Sequence, residues 1–116
     1  MPRARLGFAL GLAAALGAAP ALAHRLNVFA WIEGETVVVE AKFSNGNRAR
    51  SGTIQIFDGG DRLLRTLQMG PDGTARFPLA GAEEGLRIEM STGDGHDDYW
   101  ILTPADIEAR HDAAAD

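Results

Sequence analysis

The sequence predicts an all-β domain: a seven-stranded antiparallel Greek-key sandwich with a short C-terminal helix. Two observations support this fold class. After residue 23, apolar side chains recur with a period near two. Clusters rich in Gly, Asp, Asn and Pro interrupt them at spacings of about 8–12 residues, as is typical of sandwiches. The chain of 116 residues has no cysteine, so we expect a single modest core to hold the domain together without disulfides.

The first hairpin is predicted from two apolar runs at residues 25–32 and 36–43. The short polar turn around Gly34 separates them, and runs joined by so few residues pair as antiparallel neighbours. A long polar loop over residues 44–52 follows the second run.

Five further strands follow the same pattern, separated by turn residues such as Pro71 and Gly73. Pro78 lacks an amide hydrogen, so its strand is predicted to lie at a sheet edge or to contain a bulge. Thr103 and Pro104 predict a helix start, because Thr caps helices and Pro favours their first position. These strands are predicted at residues 52–57, 62–69, 74–79, 86–90 and 99–102.

Large side chains on these strands are expected to supply the core. Met69 and Met90 fall at core positions of the strand pattern. Aromatic side chains bury the most apolar area, so we expect them to contribute most to stability. The strands and their flanks carry Phe29, Trp31, Phe43, Phe57, Phe77, Tyr99 and Trp100.

Residues 1–23 are predicted to be a cleavable secretory signal peptide. Arg3 and Arg5 form a positive start, residues 6–19 are uncharged and apolar, and Ala21 and Ala23 give the small-x-small pattern of a cleavage site. The alternative is an uncleaved anchor, although a spanning helix needs about 20 strongly apolar residues. The predicted organisation is a signal at 1–23, a sandwich at 24–103 and a short helix with a polar tail at 104–116. The expected location is the periplasm or the outer face of the inner membrane.

Charge and motif content exclude several classes of function. The formal net charge is −5, and removal of Arg3 and Arg5 with the signal makes it −7. An acidic protein lacks the basic surface that nucleic acids require. The sequence has no nucleophile-elbow serine, phosphate-binding glycine loop or zinc-protease motif. We therefore expect a non-enzymatic protein with no small-molecule substrate and no nucleic-acid partner.

Histidine placement predicts a metal site. Cleavage after Ala23 makes His24 the N-terminal residue, whose α-amine and imidazole can chelate one divalent ion. His96 lies in a Gly-His-Asp-Asp loop close to Asp94 and Asp97. The first and last strands of a sandwich often lie together, so His24, His96, Asp94 and Asp97 are the predicted ligands. The alternatives are an ordinary disordered terminus and an ordinary acidic turn with an exposed histidine.

The chain also resembles a known family. The string Ala-His-Arg-Leu-Asn-Val-Phe-Ala-Trp-Ile-Glu-Gly at residues 23–34 is similar to the mature start of the L-type accessory subunit of nickel and cobalt transporters of the energy-coupling-factor class. Phe-Ser-Asn-Gly at residues 43–46 and Gly-His-Asp-Asp-Tyr-Trp at residues 95–100 also fit that family. The middle strands match carboxypeptidase-regulatory-like sandwiches in general. Family members usually carry a transmembrane helix after the β-domain, whereas this sequence continues to Asp116 as a polar tail.

The resemblance implies a transthyretin-like sandwich that helps an inner-membrane permease subunit take up Ni²⁺ or Co²⁺, which it binds transiently. It also points to His24 and His96, because both lie in the matching strings. Two alternatives stay open. One is a periplasmic copper-binding sandwich, and the other is a plain protein-interaction module with no metal.

Overall fold

The computed structural model describes the backbone of residues 25–115 and the side chains of residues 25–110. The predicted signal peptide and His24 therefore lie outside the described residues. Seven strands form two antiparallel sheets, which confirms the predicted sandwich. The strands are β1 (Leu26–Glu33), β2 (Thr36–Phe43), β3 (Thr53–Asp58), β4 (Leu63–Gln68), β5 (Thr74–Pro78), β6 (Leu86–Ser91) and β7 (Asp97–Leu102).

The first sheet has the strand order β1-β2-β5. β1 and β2 form the predicted hairpin, with Leu26 opposite Phe43 at one end and Glu33 opposite Thr36 at the turn. β5 lies at the edge of this sheet and contains Pro78. The edge position predicted from Pro78 is confirmed.

The second sheet has the strand order β4-β3-β6-β7. β3, β4 and β5 follow one another around the sandwich, and β6 returns to lie beside β3, which is the Greek-key arrangement. Among the edge strands of the two sheets, β1 lies beside β7, while β5 and β4 lie on the opposite side. The sandwich therefore has two seams, one on each side.

The core between the sheets is mainly aliphatic. β6 shows the clearest alternation, since Leu86, Ile88 and Met90 are buried while the residues between them are not. Met69 is also buried, so both methionines lie in the core as expected. The largest side chains with almost no exposed area are Ile54, Ile56, Ile88, Met90, Val37, Val38 and Val39.

The aromatic residues that were expected to contribute most to stability lie mainly outside the buried core. Phe77 is the only aromatic side chain among the described residues that is fully buried. Phe29 and Trp31 lie on the outward face of β1, where alternation directs residues away from the core. Phe29 packs on Trp100 of β7, with ring centroids 5.6 Å apart. We call this side of the sandwich, formed by Phe29, Trp31 and Trp100, the aromatic seam.

A single helix, α1 (Pro104–Ala115), follows β7. Its start is as predicted: the Asp106 amide donates to the Thr103 hydroxyl, and the Thr103 amide donates to the Asp106 carboxylate. α1 continues through residues 111–115, where the sequence predicts a polar tail after a short helix, because this alanine-rich stretch favours helix. Within residues 25–115, no helix has both the length and the apolar content needed to span a membrane.

Candidate metal-binding site

The loop between β6 and β7 is a tight turn that holds His96 in a defined place. The Thr92 amide donates to the His96 carbonyl at 3.0 Å, which closes the loop at its base. Gly93 and Gly95 adopt φ values of 86° and 92°, in the left-handed region that side chains other than glycine rarely enter. These glycines let the chain reverse direction within residues 92–96, so that the Asp94 carboxylate contacts the His96 side chain.

Asp94 orients the imidazole of His96. The Nδ1 atom of His96 lies 2.7 Å from Asp94 Oδ1, and the hydroxyl of Thr92 donates to the same oxygen. With Asp94 ionised, Nδ1 carries the hydrogen and donates, so Nε2 is the ring nitrogen with a free lone pair. Metal-bound histidines commonly have this second contact to a carboxylate. The geometry thus gives Asp94 an orienting contact and makes Nε2 the candidate ligand atom.

The charge on Asp94 is strongly stabilised. The hydrogen bond from the Thr92 hydroxyl and then that from His96 lower the pKa of Asp94 from 3.8 to about 2. The carboxylate is therefore ionised throughout the physiological range, and it remains an acceptor for the imidazole hydrogen.

Phe43 supports the other side of the imidazole. The two rings meet edge to face, with centroids 5.4 Å apart and planes at 80°. The side chain of His96 retains 28% of its exposed area. The ring is therefore held on two sides and is still accessible to an ion from solvent.

The start of the domain lies beside this histidine. The Ser44 amide donates to the Arg25 carbonyl at 2.8 Å, and the Arg25 amide donates to the Ser44 hydroxyl at 3.2 Å. Ser44 follows Phe43, whose ring contacts His96. The expectation that the first and last strands lie side by side is confirmed, because the Val28 amide donates to Asp98 Oδ2 at 2.8 Å.

Asp97 lies on the face of β7 that points away from β1. Asp97 begins β7 opposite Ser91, and it lines a shallow depression on the outer face of the second sheet together with Gln55, Glu89 and Tyr99. Successive residues of a strand point to opposite faces. Asp98, not Asp97, therefore points toward β1. His24 lies outside the described residues, so its contribution stays a prediction.

No complete metal site is present within the described residues alone. Their side chains include no group of three or more His, Cys, Asp or Glu residues that could hold an ion. His96 and Asp94 supply one oriented imidazole, and further ligands have to come from elsewhere. Sequence reasoning found this pair but missed the contributions of Thr92, Phe43 and Asp98. The local Thr-Gly-Asp-Gly sequence could have predicted the contact of Thr92 with Asp94. The contacts of Phe43 and Asp98 depend on how strands distant in the chain pack together.

No protein-family model, no curated protein and no solved structure matches this chain.

Proposed function

We propose that this protein is a non-enzymatic periplasmic accessory protein in nickel or cobalt uptake, and that it assists an inner-membrane permease. The observation that carries the proposal is the His96–Asp94 pair. An imidazole oriented by a carboxylate and open to solvent lies at the end of the sandwich where the described chain begins. Imidazole nitrogen is a favoured ligand of Ni²⁺ and Co²⁺.

Two hydrogen bonds at Arg25 support a shared site with His24. His24 is bonded directly to the Arg25 nitrogen, which itself lies 3.2 Å from Ser44 Oγ. Adjacent Cα atoms are about 3.8 Å apart. In the cleaved protein, the α-amine and imidazole of His24 would supply two nitrogen ligands, and Nε2 of His96 a third.

A site with three nitrogen ligands, completed by water molecules, exchanges its ion readily. The site is open to solvent, and its only described protein ligand lies on a short loop. A protein that hands an ion to a transporter has to release it, so modest affinity suits this role. The acidic charge of the mature chain favours the approach of cations.

The copper alternative gains no support from methionine ligands. Met69 and Met90 are both buried in the core, so neither thioether of the described residues is accessible to an ion. The plain interaction module is favoured by one observation, the exposed aromatic seam. That alternative predicts partner binding without any effect of Ni²⁺ or Co²⁺.

Calorimetric titration of the form that starts at His24 with Ni²⁺ and Co²⁺ tests the proposal. We expect one ion per chain, and a loss of at least tenfold in affinity for His96→Ala and for a form with an extra Met before His24. Asp94→Asn keeps the ligands and removes the orienting charge, and we expect a loss of about tenfold. Asp97→Asn is the matched control and should leave the affinity unchanged.

Cellular uptake provides the second test. Deletion of the gene should reduce accumulation of Ni²⁺ or Co²⁺ at low external concentration, and the wild-type gene should restore it while His96→Ala should not. Equal affinity of wild type and His96→Ala in the titration, together with unchanged uptake after deletion, would contradict the proposal.

A further inference from the structure

The two seams of the sandwich carry opposite charge. Glu33 of β1 and Asp98 of β7 lie on the aromatic seam, and neither strand contains lysine or arginine. β4 and β5 contain Arg65 and Arg76 and no carboxylate. The strand order places these two pairs of edge strands on opposite sides of the molecule. The separation of charge therefore follows the architecture of the fold.

The aromatic seam also exposes a large apolar area. Phe29, Trp31 and Trp100 retain 43%, 38% and 37% of their exposed area. Glu33 accepts a hydrogen bond from the Trp31 indole at 2.8 Å, so an acidic group lies within the apolar strip. The nearby guanidinium of Arg110 on α1 pairs with Glu35 and does not cancel this charge. Aromatic side chains of this kind are enriched at the centres of protein interfaces.

The opposite side, which we call the arginine seam, combines a cleft lined mainly by apolar side chains with the basic side chains of β4 and β5. Leu64 and Arg65 of β4 face Phe77 and Pro78 of β5 across a cavity of about 230 Å³. Leu64 keeps 45% of its area exposed. The guanidinium of Arg65 lies over the Phe77 ring, 5.8 Å from its centre. The cleft thus presents apolar side chains beside a positive guanidinium.

We propose that the aromatic seam of one copy of this protein docks on the arginine seam of a second copy. The two surfaces are complementary, because each presents apolar side chains and the two carry opposite charge. Pairing two aromatic seams would bring the Glu33 and Asp98 carboxylates of the two copies close together, and pairing two arginine seams would oppose like charges as well. Charge therefore selects the head-to-tail contact over a symmetric one.

A head-to-tail contact leaves one free seam at each end of the pair. Such contacts continue into rings or open chains instead of stopping at a dimer. The inference does not depend on the proposed function, because neither His96 nor Asp94 belongs to either seam. Failure of metal binding and failure of self-association are therefore separate results.

Sedimentation velocity with seam variants tests this inference. Phe29→Ser disables the aromatic seam, and Leu64→Ser combined with Arg65→Glu disables the arginine seam. We expect the wild type to form a concentration-dependent series of oligomers between about 10 µM and 1 mM, the range of weak interfaces. Each variant alone should remain monomeric. An equimolar mixture of the two variants should form a discrete 1:1 dimer, since each supplies the seam that the other lacks.

Matched controls distinguish this specific contact from nonspecific association. Ile101→Ser removes an exposed apolar side chain on the outer face of β7, outside both seams, and Arg50→Glu reverses an exposed loop charge. Both should associate like the wild type. Circular dichroism checks that each variant folds, and Trp31→Thr replaces Phe29→Ser if that variant does not fold.

Three outcomes would overturn the inference. The first is a wild type that remains monomeric at the highest concentration. The second is a closed wild-type dimer with no dimer in the mixture of variants, which would mean a symmetric contact. The third is a wild type that binds phosphatidylcholine vesicles through Phe29 without associating in solution, which would assign the aromatic seam to a membrane surface.

Discussion

The two seams of the sandwich are closed in different ways. At the aromatic seam, Asp98 accepts a hydrogen bond from the Val28 amide, and Phe29 packs on Trp100. At the arginine seam, Arg65 spans the gap by lying over Phe77. The difference shows that aromatic residues at the two seams act in two ways: Phe77 is buried as part of the core, while Phe29 and Trp100 cover a junction between the sheets and remain accessible.

The largest expected effect is at Phe77, the buried aromatic residue of the arginine seam. Phe77→Ala should lower the free energy of unfolding by about 3–5 kcal/mol, because it leaves a cavity in the core. Phe29→Ala removes the same ring from a half-exposed position and should cost about 1 kcal/mol. Urea denaturation of both variants makes the comparison. Equal losses would mean that the exposed seam is as important for stability as the core.

Asp98 should contribute to the aromatic seam through its hydrogen bond. Asp98→Ala leaves the Val28 amide without its acceptor, and we expect a loss of about 1–3 kcal/mol in the free energy of unfolding. Asp97→Ala is the neighbouring control on the opposite face and should change stability by less than about 0.5 kcal/mol. Hydrogen exchange at the Val28 amide should accelerate in Asp98→Ala and remain unchanged in Asp97→Ala. Unchanged exchange there would contradict the assigned contact.

Arg65 should make a smaller contribution at the arginine seam. Arg65→Ala removes the cation–π contact and should cost about 0.5–1 kcal/mol. The loss should vanish when Phe77 is first changed to Leu, because the aromatic partner is then absent. Arg50→Ala in the polar loop is the matched control. A loss that persists beside Phe77→Leu would mean that Arg65 stabilises the seam by packing and not through the ring.

The smallest effect concerns pH at the loop that enters β7. The pKa of Asp94 is lowered to about 2 by Thr92 and His96, so its hydrogen bonds stabilise the fold fully above its ordinary pKa of 3.8. That stabilisation is lost as the pH falls from 3.8 through about 2. Thr92→Val should raise the pKa of Asp94 toward 3.8, as measured by carboxyl NMR titration. An unchanged midpoint would assign the shift to His96 alone.

Local sequence patterns predicted the strands and turns well because their causes are local. The alternation at Leu86, Ile88 and Met90, the turn at Gly34 and the helix start at Thr103 each depend on neighbouring residues. The predicted start of the last strand was two residues late. Asp97 and Asp98 are polar residues that favour turns, yet pairing with Ser91 and Met90 draws them into β7.

Part of the candidate site could be predicted from the sequence because it also depends on residues close together in the chain. Asp94 and His96 are two residues apart, so their contact was accessible to sequence reasoning. The choice between Asp97 and Asp98 was not, because it depends on which face of β7 points toward β1. The packing of Phe43 on His96 joins residues that are distant in the chain, and the residue spacing did not predict it.

By itself, the sequence determined the fold class, the hairpin, the aliphatic strand interiors and the short helix, since periodicity and turn chemistry act over a few residues. Only the tertiary structure decided that the aromatics of β1 and β7 stay at the surface, that Asp98 bridges the sheets and that opposite charges lie on opposite seams. These outcomes depend on the order in which strands are placed side by side. Strand order is set by packing between segments far apart in the chain, and local patterns carry little information about it.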